Sequence, residues 1–137
     1  SNDFTEDVAG IKWLKKNVKG SPVVLEANGD SYSDYERVSA MTGLPTVLGW
    51  YVHEWLWRGD PADLNVRAED VKQMYTSTDT NEVLRLLEQY HVTYIFVGSK
   101  EKEKYGDALN ELLLQSIGDI VYQDTASGTY ILQVQDT

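Results

Sequence analysis

The chain contains no cysteine, which excludes disulfides, thiol nucleophiles and cysteine-ligated zinc together. Histidine is nearly as scarce. His53 and His91 are the two present, and a metal site built on them would need distant segments to converge with a carboxylate that no spacing supplies. "HEWLW" (53–57) starts like the zinc pattern H-E-x-x-H, but Trp57 stands where the second histidine belongs. Long apolar runs are also missing. The longest uncharged stretch, Val38 to Val52, is fifteen residues and is broken by Gly43, Pro45 and Gly49; that is too short and too interrupted to span a bilayer. The N-terminus is acidic and polar and does not read as a signal peptide.

Positive charge is in short supply. Twelve Lys and Arg face twenty-two Asp and Glu, for a formal charge of -10, which repels polyphosphate and argues against a nucleic-acid partner. The densest basic segment, Lys12, Lys15, Lys16 and Lys19, reads as the solvated face of a helix. Phosphate-cradling glycines are absent as well. The turn after the first predicted strand, "EANGDSYS", has one glycine where a dinucleotide fingerprint needs three. Neither a P-loop nor a G-x-S-x-G elbow occurs. No cofactor and no metal are expected.

The residues that are present describe one ordinary globular domain, spanning 3–137. A chain of 137 residues with 42% apolar and 25% charged residues can bury a substantial core. Asp3 and Glu6 suit a helix start, and Phe4, Val8, Ile11, Leu14 and Val18 follow helical spacing up to Gly20. "PVVLEA" (22–27) and "LPTVLGW" (44–50) read as strands, with a short helix between them, and "GDPADLN" (59–65) reads as loop. Helices follow over "RAEDVKQMYTS", with Val71, Met74 and Tyr75 inward, and from Asp79 onward, with Val83, Leu84, Leu87 and Tyr90 on one stripe. Glu69 and Asp70 then fall at a helix N-terminus, where the macrodipole accounts for them. "VTYIFVG" (92–98) is a strand. A long helix capped by Ser99 carries Tyr105, Leu109, Leu112, Leu113 and Ile117 inward to Gly118, and a hairpin closes the chain. Strands alternating with helices predict a three-layer α/β fold. Its sheet is mostly parallel and Rossmann-like, with helices on both faces and a C-terminal antiparallel hairpin.

One segment is unlike the rest. "TGLPTVLGWYVHEWLWRGD" (42–60) places Trp50, Trp55 and Trp57 within eight residues, beside His53, Glu54 and Arg58. If 53–58 is helical, Glu54 and Arg58 form an i,i+4 pair worth about 0.3–0.5 kcal/mol. If it is extended, His53, Trp55 and Trp57 share one face. Each indole could bury roughly 150–250 Å². The cluster is either a corner of the core or a partly exposed aromatic platform, of the kind that suits sugars, lipid headgroups or a protein partner.

With "VVLEANGDSYSDYERVSAMTGLPTVLGWYVHEWLWRGD", "RAEDVKQMYTSTD", "LLEQYHVTYIFVGSKEKEKY" and "TYILQV", the chain resembles the C-terminal soluble region of the YYY membrane proteins. These are multi-spanning proteins whose membrane portion is similar to GT-C glycosyltransferases. The resemblance runs from "IKWLKKNVKG" onward. It implies a domain excised from a larger membrane protein, on the extracytoplasmic side, with the membrane portion of the parent as partner and a sugar or lipid-linked sugar as ligand. It also implies that the catalytic carboxylates lie in membrane loops outside this chain, so that the isolated domain is not catalytic. Carried over residue by residue, the motif positions are Arg37, Thr42, Gly43, Pro45, Gly49, Trp50, His53, Glu54, Trp57 and Arg58. The candidate ligand-binding residues are Arg37, His53, Glu54, Trp55, Trp57 and Arg58, and no catalytic residue is assigned.

Overall fold

The structure, a computed structural model, describes residues 3–27, 42–47 and 61–135. Helix α1 runs Asp3–Asn17 and strand β1 Val23–Leu25. Helices α2, Pro61–Thr76, and α3, Thr80–Gln89, precede strand β2, Val92–Val97. Helix α4, Ser99–Tyr105, passes through a 3-10 turn at Gly106–Ala108 to helix α5, Glu111–Ile117. Strands β3, Gly118–Asp124, and β4, Thr129–Val134, complete the described fold.

The four strands lie in the order β1-β2-β4-β3. β1 pairs with β2 in parallel, whereas β2 with β4 and β3 with β4 are antiparallel. The sheet is therefore mixed, not mostly parallel and not strictly Rossmann-like. The reason lies in the hairpin: β4 returns beside β2, so a local antiparallel pairing occupies the place a further crossover strand would take. Of the predicted strand 44–50, the described part makes one isolated parallel bridge, Thr46 to Val24.

Alternation along β2 separates two buried clusters. Ile95 and Val97 join Leu25, Leu132 and Tyr130, together with Val71, Met74 and Tyr75 of α2, Val83, Leu86 and Leu87 of α3, and Leu113, Leu114 and Ile117 of α5. Phe96 joins Val24 and Ile131 with Ile11 and Leu14 of α1. The near-continuous apolar run of β2 is what a strand covered on both sides requires. α3 starts as its sequence suggests: Asp79 Oδ1 accepts from the backbone N–H of Asn81 (3.0 Å) and of Glu82 (3.3 Å).

Three readings of the sequence are corrected. The segment 59–65 is not all loop, because α2 begins at Pro61; proline suits a first helical position, where its missing N–H costs nothing. Glu69 and Asp70 consequently sit inside α2 rather than at its N-terminus. Glu69 accepts from the Gln73 amide (2.9 Å), and Asp70 accepts from the Tyr90 hydroxyl. The single helix expected after Ser99 is two helices, the first with Gly98 and not Ser99 as its N-cap. Gly106, at φ +50°, ends α4 in a backbone conformation that favours glycine. Asn110 then caps α5 through Leu113 N–H (3.2 Å) and ties it to the end of α2 by donating to the Ser77 carbonyl (3.1 Å). The new start resets the helical phase, so Leu112, expected inward, is 84% exposed while Leu114 is fully buried.

That phase shift can be measured. Leu114→Ala should cost about 2–5 kcal/mol in urea denaturation, whereas Leu112→Ala should change stability by less than about 0.5 kcal/mol. Equal losses would restore the continuous helix.

Candidate functional site

At the carboxyl ends of β1 and β2 the ladder stops after Leu25 and Ile95, and the backbone groups beyond it need partners. Glu101, on the first turn of α4, reaches back between them and is fully buried. Its Oε2 accepts from the N–H of Ala27 (2.8 Å) and its Oε1 from the N–H of Gly98 (2.8 Å). The Gly98 bond is one half of a capping box, and a glycine has no side chain to supply the other half. A carboxylate accepting two backbone N–H groups is a charge-assisted arrangement and is stronger than neutral pairs.

Tyr75 performs the matching task for the carbonyls. It is fully buried, and its hydroxyl donates toward Leu25 O (3.0 Å) and Phe96 O (2.6 Å), serving one at a time with its single proton. The Tyr105 ring stacks on Tyr75, with centroids 5.4 Å apart and an interplanar angle of 29°. The Tyr105 hydroxyl is buried without a hydrogen-bond partner among the described residues. Burial raises its pKa above the ordinary tyrosine value, and the Glu101 and Glu69 carboxylates add to the shift. Glu26 and Thr46 are also buried at this edge, and Lys102 donates to the Gly128 carbonyl (2.7 Å), holding the hairpin turn against α4.

The chain leaves this edge twice, after Ala27 and after Val47, to enter residues 28–41 and 48–60. Arg37, His53, Glu54, Trp55, Trp57 and Arg58, with Gly49 and Trp50, lie outside the described residues. The described part of the motif forms the approach to them. Thr42 Oγ1 accepts from Leu44 N–H (3.0 Å), Gly43 turns at φ +77°, and the Pro45 carbonyl accepts from Val24 N–H (2.9 Å). The Val47 carbonyl accepts from Arg67 (3.3 Å), whose guanidinium lies 5.1 Å from the Tyr90 ring centroid.

The described groups can brace two loop exits and place a buried phenol beside two carboxylates. They include no nucleophile–base pair, and no group of three potential metal ligands occurs among them. His91 stands away from this edge, after α3, at φ 55°. Sequence reasoning missed Glu101, although "GSKE" (98–101) shows a glutamate three residues after Gly98, the spacing of a helix-capping carboxylate.

No family model matches the chain, and none of the curated proteins matches it. Among solved structures, the C-terminal globular domain of an oligosaccharyltransferase from Archaeoglobus fulgidus is similar, with a TM-score of 0.55 and 14% identity over 93% of this chain and 95% of that one. The likeness is one of fold. No described helix is long and apolar enough to cross a membrane.

Two outcomes follow from the geometry. Glu101→Ala leaves two buried N–H groups unpaired and should cost about 2–5 kcal/mol. Glu101→Gln should lose a large part of that, because an amide has one acceptor oxygen for two donors. A glutamine variant as stable as the parent in urea denaturation would refute the double acceptance. Tyr105→Phe removes a buried, unpartnered hydroxyl and should raise stability by about 1–2 kcal/mol at neutral pH. The sign at high pH is also set. A phenol whose folded pKa is raised keeps its proton where the unfolded chain has lost it, so stability falls as pH rises above about 10. Tyr105→Phe should make that fall shallower, which thermal melting across the alkaline range would record.

Proposed function

We propose that this chain is the extracytoplasmic accessory domain of a membrane glycosyltransferase, non-catalytic by itself, holding a sugar, a lipid-linked donor or an acceptor at the tryptophan motif. The observation that carries the reading is the fold: the likeness to the globular domain of an oligosaccharyltransferase extends over 93% of this chain and 95% of that one. The resemblance to the YYY proteins and their GT-C-like membrane portion, with that portion as partner, agrees with it.

The position of the motif supports the reading further. In open α/β sheets, ligands bind outside the carboxyl ends of the strands, and it is from that edge that both motif-bearing segments leave. Within the proposal, Trp55 and Trp57 offer ring faces to a sugar, His53 and Arg37 donate hydrogen bonds, and Glu54 and Arg58 bind hydroxyl or phosphate groups. A second reading, a structural or protein-interaction module, is favoured by one observation: Glu101 and Tyr75 are both taken up by backbone groups of their own chain.

Titrating the chain with a panel of glycans and lipid headgroups, followed by tryptophan fluorescence, separates the two. The accessory reading expects saturable binding that Trp57→Ala, Glu54→Ala or Arg58→Ala abolishes at an unchanged melting temperature, with no sugar transfer by the isolated chain. Absence of binding, with each truncation unfolding the domain, would leave the motif as core.

A further inference from the structure

Away from the carboxyl edge, α1 carries a charge pattern that the fold does not use. Ile11 and Leu14 face the sheet and are buried. Lys12, Lys15 and Lys16 fall within an arc of about 100°, turned away from Leu14, at 3.6 residues per turn, and Lys19 follows the helix end. All four are exposed. Although acids outnumber bases 22 to 12 in the chain, none of these lysines has an ion-pair partner among the described residues. The helix dipole accounts for a preference for Lys15 and Lys16 in the last turn, but not for Lys12 a turn earlier or for Lys19 beyond it.

Aromatic side chains flank the stripe. Trp13 stands in sequence between Lys12 and Lys15 and is partly exposed. Its ring packs edge-on against Tyr94 (centroids 6.5 Å) and tilted against Tyr122 (6.0 Å), both partly exposed. Lysines that reach an anionic layer while their stems cover apolar surface, bordered by Trp and Tyr, are the side chains found at a lipid–water boundary. A nucleic-acid site would call instead for arginine forks that read bases or phosphates two-pronged, and the stripe holds no arginine.

We propose that the outer face of α1 docks on an anionic lipid surface, with Lys12, Lys15, Lys16 and Lys19 meeting lipid phosphates and Trp13 seated at headgroup depth. The stripe orients the domain, with its positive side facing the bilayer. No residue of the tryptophan motif takes part, so this surface stands apart from the sugar-site reading, though both set the domain beside a membrane.

The test is flotation of the chain with phosphatidylcholine vesicles, with and without phosphatidylglycerol, at low and high salt. Binding is expected with phosphatidylglycerol only and is lost at high salt. Each Lys→Gln substitution should lower the partition coefficient roughly fivefold, and the quadruple variant should abolish binding while its circular dichroism is unchanged. The Lys→Arg quadruple variant retains charge and should retain binding. The proposal is overturned by equal binding to neutral vesicles, by a quadruple Gln variant that binds like the parent, by no binding at all, or by an oligonucleotide that binds the stripe more tightly than the vesicles do. The glycan titration is expected to be the same for the lysine variants, so failure of either proposal is seen separately.

Discussion

Where a parallel ladder stops at the carboxyl ends of its strands, it uncovers backbone groups that must find partners without water. Here one carboxylate and one phenol meet that need. Glu101 accepts from the N–H groups of Ala27 and Gly98, and Tyr75 donates toward the Leu25 and Phe96 carbonyls. Much of the remaining architecture depends on this junction. It sets where α4 can start, since Glu101 lies on its first turn, and it fixes the end of α2 against the sheet. It also determines the points from which the chain departs after β1. A buried carboxylate is costly unless its acceptor capacity is used, and here both oxygens accept from the strand exits.

The parts of this arrangement that could be read from sequence are those carried by periodicity. Ile11 and Leu14 of α1, Val71, Met74 and Tyr75 of α2, and Val83 and Leu87 of α3 follow a strong 3.6-residue pattern and are buried as expected, and β2 and the closing hairpin lie close to their expected bounds. Periodicity fails where a local backbone event changes the phase. Leu109, Leu112 and Leu113 look like one continuing stripe, but Gly106 and the Asn110 cap interrupt the helix and turn Leu112 outward. The start of α2 was hidden because Gly, Asp and Pro in "GDPADLN" read as chain breakers, although proline also belongs at a first helical position. The paired carboxylate of the site was illegible for another reason. The Ala27 partner of Glu101 is 74 positions away, and only the Gly98 half of the arrangement is local. Arg37, His53, Glu54, Trp55, Trp57 and Arg58 lie outside the described residues, and their roles rest on the motif and on the edge it adjoins.

Charge is distributed as unevenly as burial. The chain is strongly acidic, yet α1 and the turn after it gather four exposed lysines with no ion-pair partner among the described residues, while carboxylates such as Glu101 and Asp70 are engaged within the fold. The carboxyl edge and the α1 face also lie on different parts of the sheet. The two proposed surfaces therefore use different side chains.

The register of β1 has a consequence for how the molecule assembles. β3 and β4 are joined by a short turn and can zip together locally, but Val23 must find Val92 across the whole intervening chain. Closing so long a loop is entropically slow, and β1 offers only three residues in return. The hairpin and β2 can therefore pair before β1 joins them, and β1 completes the sheet where Tyr75 and Glu101 receive its last backbone groups.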